Sequence, residues 1–277
     1  MIQYFARLFG ITMNNGTLPA DWKRAIVFHK GGDRSFVTNY RPVSLISVVY
    51  KQMEHVIASY LRQAWDRNDW LYEGQHGIRP GYSCECQVIA VCQDIADSMH
   101  KGDRIDAIVI DFSKTFDLVP HDWLLVKIAI SGVDSMVVAW VREFLLDRTQ
   151  RVKGGRQLSE EVRGTSGVPQ RSVLRPLLFL AYVNDIWRNT ELTIGLFADD
   201  CEIYKNIINN EDTEKWQKVL GRLEEWAAEN ARKINPNKCK AVRFTRAQVK
   251  DPLNYTLGDQ LIPEPNSCKY LGIILRS

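Results

Sequence analysis

Two aspartates, Asp199 and Asp200, stand side by side in the stretch GLFADDCEIY, after an apolar run (Leu192, Ile194, Leu196, Phe197) and before a second carrying Ile203 and Tyr204. A third acid, Asp111, closes the β-branched run DAIVID at residues 106–111. The first pattern predicts a hairpin with the acid pair at its tip, and the second a buried strand that delivers Asp111 at its C-terminal end. If these strands are neighbours in one sheet, three carboxylates converge. Like charges so placed raise one another's pKa, so the cluster needs a positive partner. Hard oxygen ligands of this kind suit Mg²⁺, which takes one or two carboxylates plus substrate phosphates. Two such ions about 3.5–4 Å apart activate an attacking hydroxyl and steady a leaving phosphate. Taken alone, an Asp–Asp dipeptide in a turn has a plainer use in bonding its own backbone, and Asp111 alone is a strand-end cap. The chemical reading therefore depends on further stretches.

One of these is basic. Arg148, Arg151, Lys153, Arg156, Arg163, Arg171 and Arg175 face only Glu160 and Glu161 between residues 148 and 175, which suits phosphate contacts or a solvated loop. Over all 277 residues the balance is slight, 36 Lys and Arg against 33 Asp and Glu, so bulk charge does not point to a polyanion. An apolar share of 45% with 25% charged residues is ordinary for a globular chain, long enough for one large domain or two subdomains. The six cysteines lack CxxC spacing and companion histidines, which argues against a zinc site and for reduced thiols in an intracellular protein. No run approaches the roughly 18–20 apolar residues of a membrane span, and MIQYFARLFG lacks a signal-peptide core, so a soluble chain without a membrane partner is expected.

The elements that must position the acids follow from periodicity. A short strand is predicted at 25–28, then a Gly-rich basic loop, HKGGDRSFVTNYRP. Leu45, Val48, Val49, Met53, Val56, Ile57, Tyr60 and Leu61 have helical spacing to about Trp65, and a second helix spans about 83–100. After the strand of Asp111 the chain turns at Pro120 into a helix that stops at Gly132; another amphipathic stretch covers 136–146. Residues 176–187 predict a buried helix opened by Pro176, and a helix from about 212 to 233 places Trp216, Val219, Leu220, Leu223 and Trp226 on one side. KAVRF and KYLGIIL supply two more strands. Helices first, then strands and helices around a central hairpin, make an α+β pattern.

NYRPVSL (39–45), GQHGIRPGYSC (74–84), DFSKTFDLVPHD (111–122), RTQRV (148–152), SGVPQRSVLRPLLFLAYVND (166–185), LFADD (196–200), INPNKCKAVRF (234–244) and KYLGI (269–273) come in one order. Together, over about residues 22–275, they resemble the successive motifs of the reverse transcriptase domain of non-LTR (LINE-type) retrotransposons, most of all the jockey-like group. The resemblance implies a right-hand polymerase with fingers at 1–104 and a palm at 105–277, its antiparallel sheet backed by helices. It implies an RNA-directed DNA polymerase working on an RNA template, a DNA primer and dNTPs. It also implies cytoplasmic synthesis and nuclear action, and a full-length protein with an endonuclease region before this stretch and a thumb after it, the thumb being absent from this chain.

By the same resemblance Asp111 and Asp199 would hold two Mg²⁺ (or Mn²⁺) ions with the backbone carbonyl of Phe112, and Asp200 would support that site. Phe116 would crowd a ribonucleotide's 2′-hydroxyl, Lys30 and Arg41 would grip the triphosphate, and Gln170 would lie against the nascent base pair, with Gly167 permitting a close backbone approach. Lys238 would protonate departing pyrophosphate, and Tyr270, Leu271 and Gly272 would position the primer. The sequence departs from the pattern at Arg171 and Arg175, where the family has glycine. A long charged side chain satisfies neither close approach nor positive φ, so these arginines read as damage, Arg171 the more so, or else as added phosphate contacts. The runner-up is therefore a truncated, degenerate copy without catalysis that at most binds nucleic acid. Another two-metal nucleotidyl transfer enzyme, such as a cyclase, leaves NYRP, SGVPQ and YLG unexplained.

Overall fold

A computed structural model describes residues 2–36, 39–44, 47–112, 116–186, 192–198, 200–230, 234–247 and 251–276. They form two compact units, each built from two separate segments: residues 1–71 with 116–183, and 72–115 with 184–277. Elements are numbered along the chain.

The first unit begins with α1 (Ile2–Asn15), followed by β1 (Arg24–His29), β2 (Tyr40–Ser44) and α2 (Val48–Arg67). Ser47 caps α2 by accepting the Tyr50 N–H at 3.1 Å. Its second segment adds α4 (His121–Ala129), α5 (Ser135–Leu145), β4 (Thr149–Gly154), β5 (Gln157–Leu158), β6 (Val162–Arg163) and α6 (Leu174–Val183). The sheet runs β2-β1-β4-β5 with β6 also on β4; β1 pairs antiparallel with β2 and parallel with β4. Trp65, Trp140, Tyr50, Phe144, Leu177 and Tyr182 fill the core. Glu54 of α2, fully buried, accepts from Ser172 Oγ (3.0 Å) and Val173 N (2.6 Å) and so fixes the approach to α6. Burial raises its pKa above the usual carboxylate range.

Three expectations change here. The basic stretch after Arg148 is not a loop: β4, β5 and β6 form there, because β1 offers a free edge in register from Arg24 opposite Thr149. Arg148 does not face solvent, since it is 8% exposed and donates to the carbonyls of Phe144 (3.0 Å) and Trp22 (3.2 Å). Helix α6 begins at Leu174 rather than Pro176, its first turn started by a hydrogen bond from Leu174 N to Ser172 Oγ.

The second unit holds α3 (Cys84–Lys101), β3 (Arg104–Ile110), β7 (Thr193–Phe197), β8 (Asp200–Ile207), α7 (Asn210–Glu229), β9 (Lys240–Phe244), and the hairpins β10 (Thr256–Leu257) with β11 (Gln260–Leu261) and β12 (Ser267–Tyr270) with β13 (Ile273–Arg276). Its sheet is wholly antiparallel, in the order β7-β8-β3-β9. Ile108 and Ile110 pack with Ile194, Ile203 and the α7 residues Trp216, Leu220 and Leu223, while Ile105 and Ala107 face Val91, Ile95, Tyr204, Val242 and Tyr270. From Ala107 to Ile110 the period-2 alternation of β3 is thus apolar on both faces, which is why this part reads as an unbroken apolar run, while Asp106 is buried with Arg104 and Tyr255 as partners. KYLGIIL, a strand candidate by its pattern and a hairpin at Tyr270–Gly272 by the resemblance, is a hairpin: β12 and β13 are joined by a turn with positive φ at Leu271 (42°) and Gly272 (91°). Glu202 of β8 is buried on the α3 side, and neither carboxylate oxygen accepts a hydrogen bond among the described residues. Burial pushes its pKa up to about 8.

Candidate active site

The register of the second unit places the acids. Ile110 pairs with Cys201 across β3 and β8, so the next residue, Asp111, stands level with Asp200 at the same end of the sheet. Asp199 lies outside the described residues. Asp111 is clasped by the turn that follows Ile234: its N–H donates to Cys239 Sγ (3.5 Å), its carbonyl accepts from Asn235 N (3.2 Å), and Phe112 bridges to Ile234. The turn closes with Lys238 N and Cys239 N both donating to Asn235 O at 3.0 and 3.1 Å. It brings Lys238 Nζ to 3.7 Å from Asp111 Oδ1. Burial pushes the Cys239 thiol up to about 11, so it meets Asp111 as a neutral S–H. The Phe112 ring stands edge-on to Trp226, with centroids 6.5 Å apart.

A hard divalent cation fits this end of the sheet. Asp111 Oδ1 is enclosed yet accepts no hydrogen bond among the described residues, and Asp200 opens beside it. Two carboxylates on one side are what Mg²⁺ takes when substrate phosphates complete its shell.

The segment Gly74–Gln75–His76–Gly77 braces the turn between β7 and β8. Gly74 O accepts from Leu196 N (3.0 Å) and Leu196 O from His76 N (2.8 Å), a parallel bridge along the sheet edge. Gln75 Oε1 accepts from both Ala198 N (2.9 Å) and Gly77 N (2.8 Å). Ala198 has φ of 58°, a conformation costly for a residue with Cβ, and this amide grip holds it there. A Cβ on residue 77 would lie 2.2 Å from Ala198 N, so glycine is required. Gln75 was not among the expected site residues; a Gly-flanked glutamine beside no periodic element is the only signal of its role in the sequence.

Of the residues expected to meet a primer, Tyr270 is 2% exposed and sits in the core against Val91, so its ring supports the hairpin and is not a contact surface. Leu271 and Gly272 form the turn, Gly272 exposed and Leu271 partly buried against the core, with Leu271 O accepting from Cys84 Sγ at 3.6 Å.

The remaining expected residues are in the first unit. Lys30, Phe116 and Gln170 line one cavity of about 650 Å³, together with Phe28, His29, Asp117, Arg171 and Arg175. Lys30 follows β1 and donates its N–H to Asn39 O at 2.7 Å. Arg41 is on β2 opposite Phe28, and its side chain lies outside the described part. One wall is made by zipping residues 116–119 to 166–168: Val168 N donates to Phe116 O (3.1 Å) and Gly167 N to Val119 O (2.9 Å). A Cβ at Gly167, whose φ is 84°, would lie 2.6 Å from Asp117 O, so the close approach expected of this glycine is to the chain's own backbone.

The two departures from the family pattern differ. Arg171 has φ of 66°, the region glycine enters without cost. Arg175 is built in: Nη1 donates to Val168 O (2.6 Å), Nη2 to Asp117 Oδ1 (2.9 Å), and its guanidinium lies 4.7 Å from the Phe116 ring centre.

An antiparallel sheet ends in level aspartates beside a lysine, and the chain belongs to the reverse transcriptase (RNA-dependent DNA polymerase) family, which it matches over residues 28–275. Among curated relatives it is 30% identical to the RNA-directed DNA polymerase from mobile element jockey of Drosophila melanogaster, over 99% of this chain and 31% of that protein. It is 28% identical to the probable RNA-directed DNA polymerase from transposon X-element of the same organism, again over 99% and 31%. The chain thus spans about a third of the length of these relatives. Among solved structures, an apo telomerase from Candida tropicalis truncated from its C-terminal domain shares the fold, with a TM-score of 0.61 at 12% identity, over 94% of this chain and 54% of that one. Among the described residues no helix is long and apolar enough to cross a membrane.

Proposed function

We propose that this chain is the polymerase core of a non-LTR, jockey-like element: it extends a DNA primer 3′-hydroxyl with dNTPs on an RNA template. The observation that carries the reading is the level placement of Asp111 and Asp200 at one sheet end with Lys238 3.7 Å from Asp111. In this reading residues 1–104 supply the fingers and 105–277 the palm, with β4–β6 joining the sheet of the fingers. The template strand would be RNA, as the jockey polymerase's name states for that relative.

Asp111, the Phe112 carbonyl and Asp199, with Asp200 in support, would hold Mg²⁺, which when bound supplies charge neutralisation at the transferring phosphate. Lys238 carries a proton at Nζ toward the leaving pyrophosphate; a charged amine beside the carboxylate is placed to give it up as negative charge grows. The cavity of the first unit takes the incoming nucleotide. Lys30 and Arg171 meet the triphosphate through charge-assisted contacts, Arg41 adds a third from β2, Gln170 faces the base, and the Phe116 ring crowds a 2′-hydroxyl. Leu271 and Gly272 guide the primer. The protein would be made in the cytoplasm and act in the nucleus.

The test is extension of oligo(dT) on poly(rA) with dTTP and Mg²⁺. Asp111→Asn keeps the shape and removes the charge, and is expected to lower the rate by at least ~10³-fold, the several kcal/mol that metal-assisted charge stabilisation supplies. Equal rates for the two proteins would sink the assignment.

A further inference from the structure

The guanidinium of Arg175 is anchored in the cavity wall by two hydrogen bonds and a ring contact. One nitrogen bonds Val168 O at 2.6 Å, a second bonds Asp117 Oδ1 at 2.9 Å, and the flat face covers Phe116 at 4.7 Å. The side chain is 16% exposed. The same ring packs against Phe179, centroids 4.6 Å apart and tilted by 45°. Phe116 is therefore in contact with both a cation and an aromatic ring, and the same arginine ties residue 117 to residue 168 across the zipped segments. Its charge is already matched by Asp117, in contrast to Arg171, which lines the same cavity and makes no ion pair among the described residues.

We propose that Arg175 is a positioning residue: it holds the Phe116 ring in the cavity wall and thereby sets which sugar the cavity admits. The proposal rests on the reading above that this cavity takes the incoming nucleotide. Glycine at 175 would remove the cation from the ring face, free Phe116 to turn about its side-chain bonds, and leave the Asp117 carboxylate uncompensated beside a polyanionic ligand. Lysine would restore the charge but neither the planar stack nor the two-pronged bond to Val168 and Asp117.

The experiment compares kcat/KM for dGTP and GTP on an oligo(dG)-primed poly(rC) template in the 277-residue chain and in Phe116→Ala, Arg175→Ala, Arg175→Lys and Asp117→Asn. Phe116→Ala should collapse the dGTP/GTP ratio. Arg175→Ala should lower it by about tenfold, mainly by raising GTP use, the scale of a partly desolvated cation–π contact. Arg175→Lys should recover little of the ratio, and Asp117→Asn should fall between. A ratio that stays put in Arg175→Ala and Arg175→Lys while it collapses in Phe116→Ala overturns the positioning role and leaves the site reading standing. A ratio indifferent to Phe116→Ala, or no incorporation of either nucleotide by the unaltered chain, overturns the site reading itself. If Arg175→Ala melts early, Arg175→Lys at an unchanged melting temperature decides the matter.

Discussion

Asp111 and Asp200 stand level because β3 and β8 are in register, whereas the cavity of Lys30, Phe116 and Gln170 has a wall of two irregular segments zipped by backbone hydrogen bonds and clasped by the Arg175 side chain. At the sheet end of the second unit, the backbone fixes the geometry, with an apolar layer on each face. In the cavity of the first, one arginine and one glycine do the equivalent task. A sheet end tolerates little change, since a one-residue slip sends every side chain to the opposite face. A clasped pair of irregular segments is less constrained, and at position 175 the clasp is a side chain from the first turn of α6.

This contrast can be broken at several points. The largest effect is expected from Glu202. Its folded pKa of about 8 lies above the ordinary carboxylate value, so its contribution to stability is complete below pH ~4.5 and is lost as the pH rises through 8. Urea unfolding should show the second unit weaker at pH 8.5 than at pH 5.5 by roughly 2–4 kcal/mol. Glu202→Gln should flatten that dependence, and an unchanged profile would show that the sheet's α3 face is not as dry as its burial implies. Next is Gln75→Ala, which leaves the Ala198 and Gly77 N–H groups without their acceptor. A loss of about 1–3 kcal/mol and a clear drop in extension rate are expected; a neutral result would mean that strand pairing alone holds the β7–β8 turn. Smallest is Arg171→Gly, which relieves a positive φ worth about 1–2 kcal/mol, partly offset by glycine's extra unfolded-state freedom. A rise in melting temperature of about 2–4 °C would accord with that balance. A fall would show that the arginine side chain stabilises the cavity.

Much of the sheet end was legible in the sequence. Alternation in β8, the apolar run of β3 and an acid at the end of each suffice to suggest convergence, because register turns a local pattern into a spatial one. The turn holding Lys238 was visible only through the resemblance, since nothing periodic marks Asn235–Lys238. The strands of 149–163 escaped because TQRVKG is polar on both faces; its extended shape comes from an edge contributed by residues 24–27, more than a hundred positions away. Arg148 was misjudged for a related reason: its burial depends on two carbonyls, one of them Trp22's, that no local pattern reveals. The split of KYLGIIL turned on Leu271 adopting positive φ, which a leucine does rarely and only under the constraint of a tight hairpin.

The discontinuity of the two units governs how the chain can be made. The first needs residues on both sides of 72–115, and the second needs residues on both sides of 116–183. At a synthesis rate of about 5–20 residues per second, the half-unit ending at residue 71 waits roughly 5–20 s before residue 183 completes it. Through that interval Tyr50 and the open edge of β1 lack the partners that residues 140–152 bring them, Trp140, Phe144 and β4.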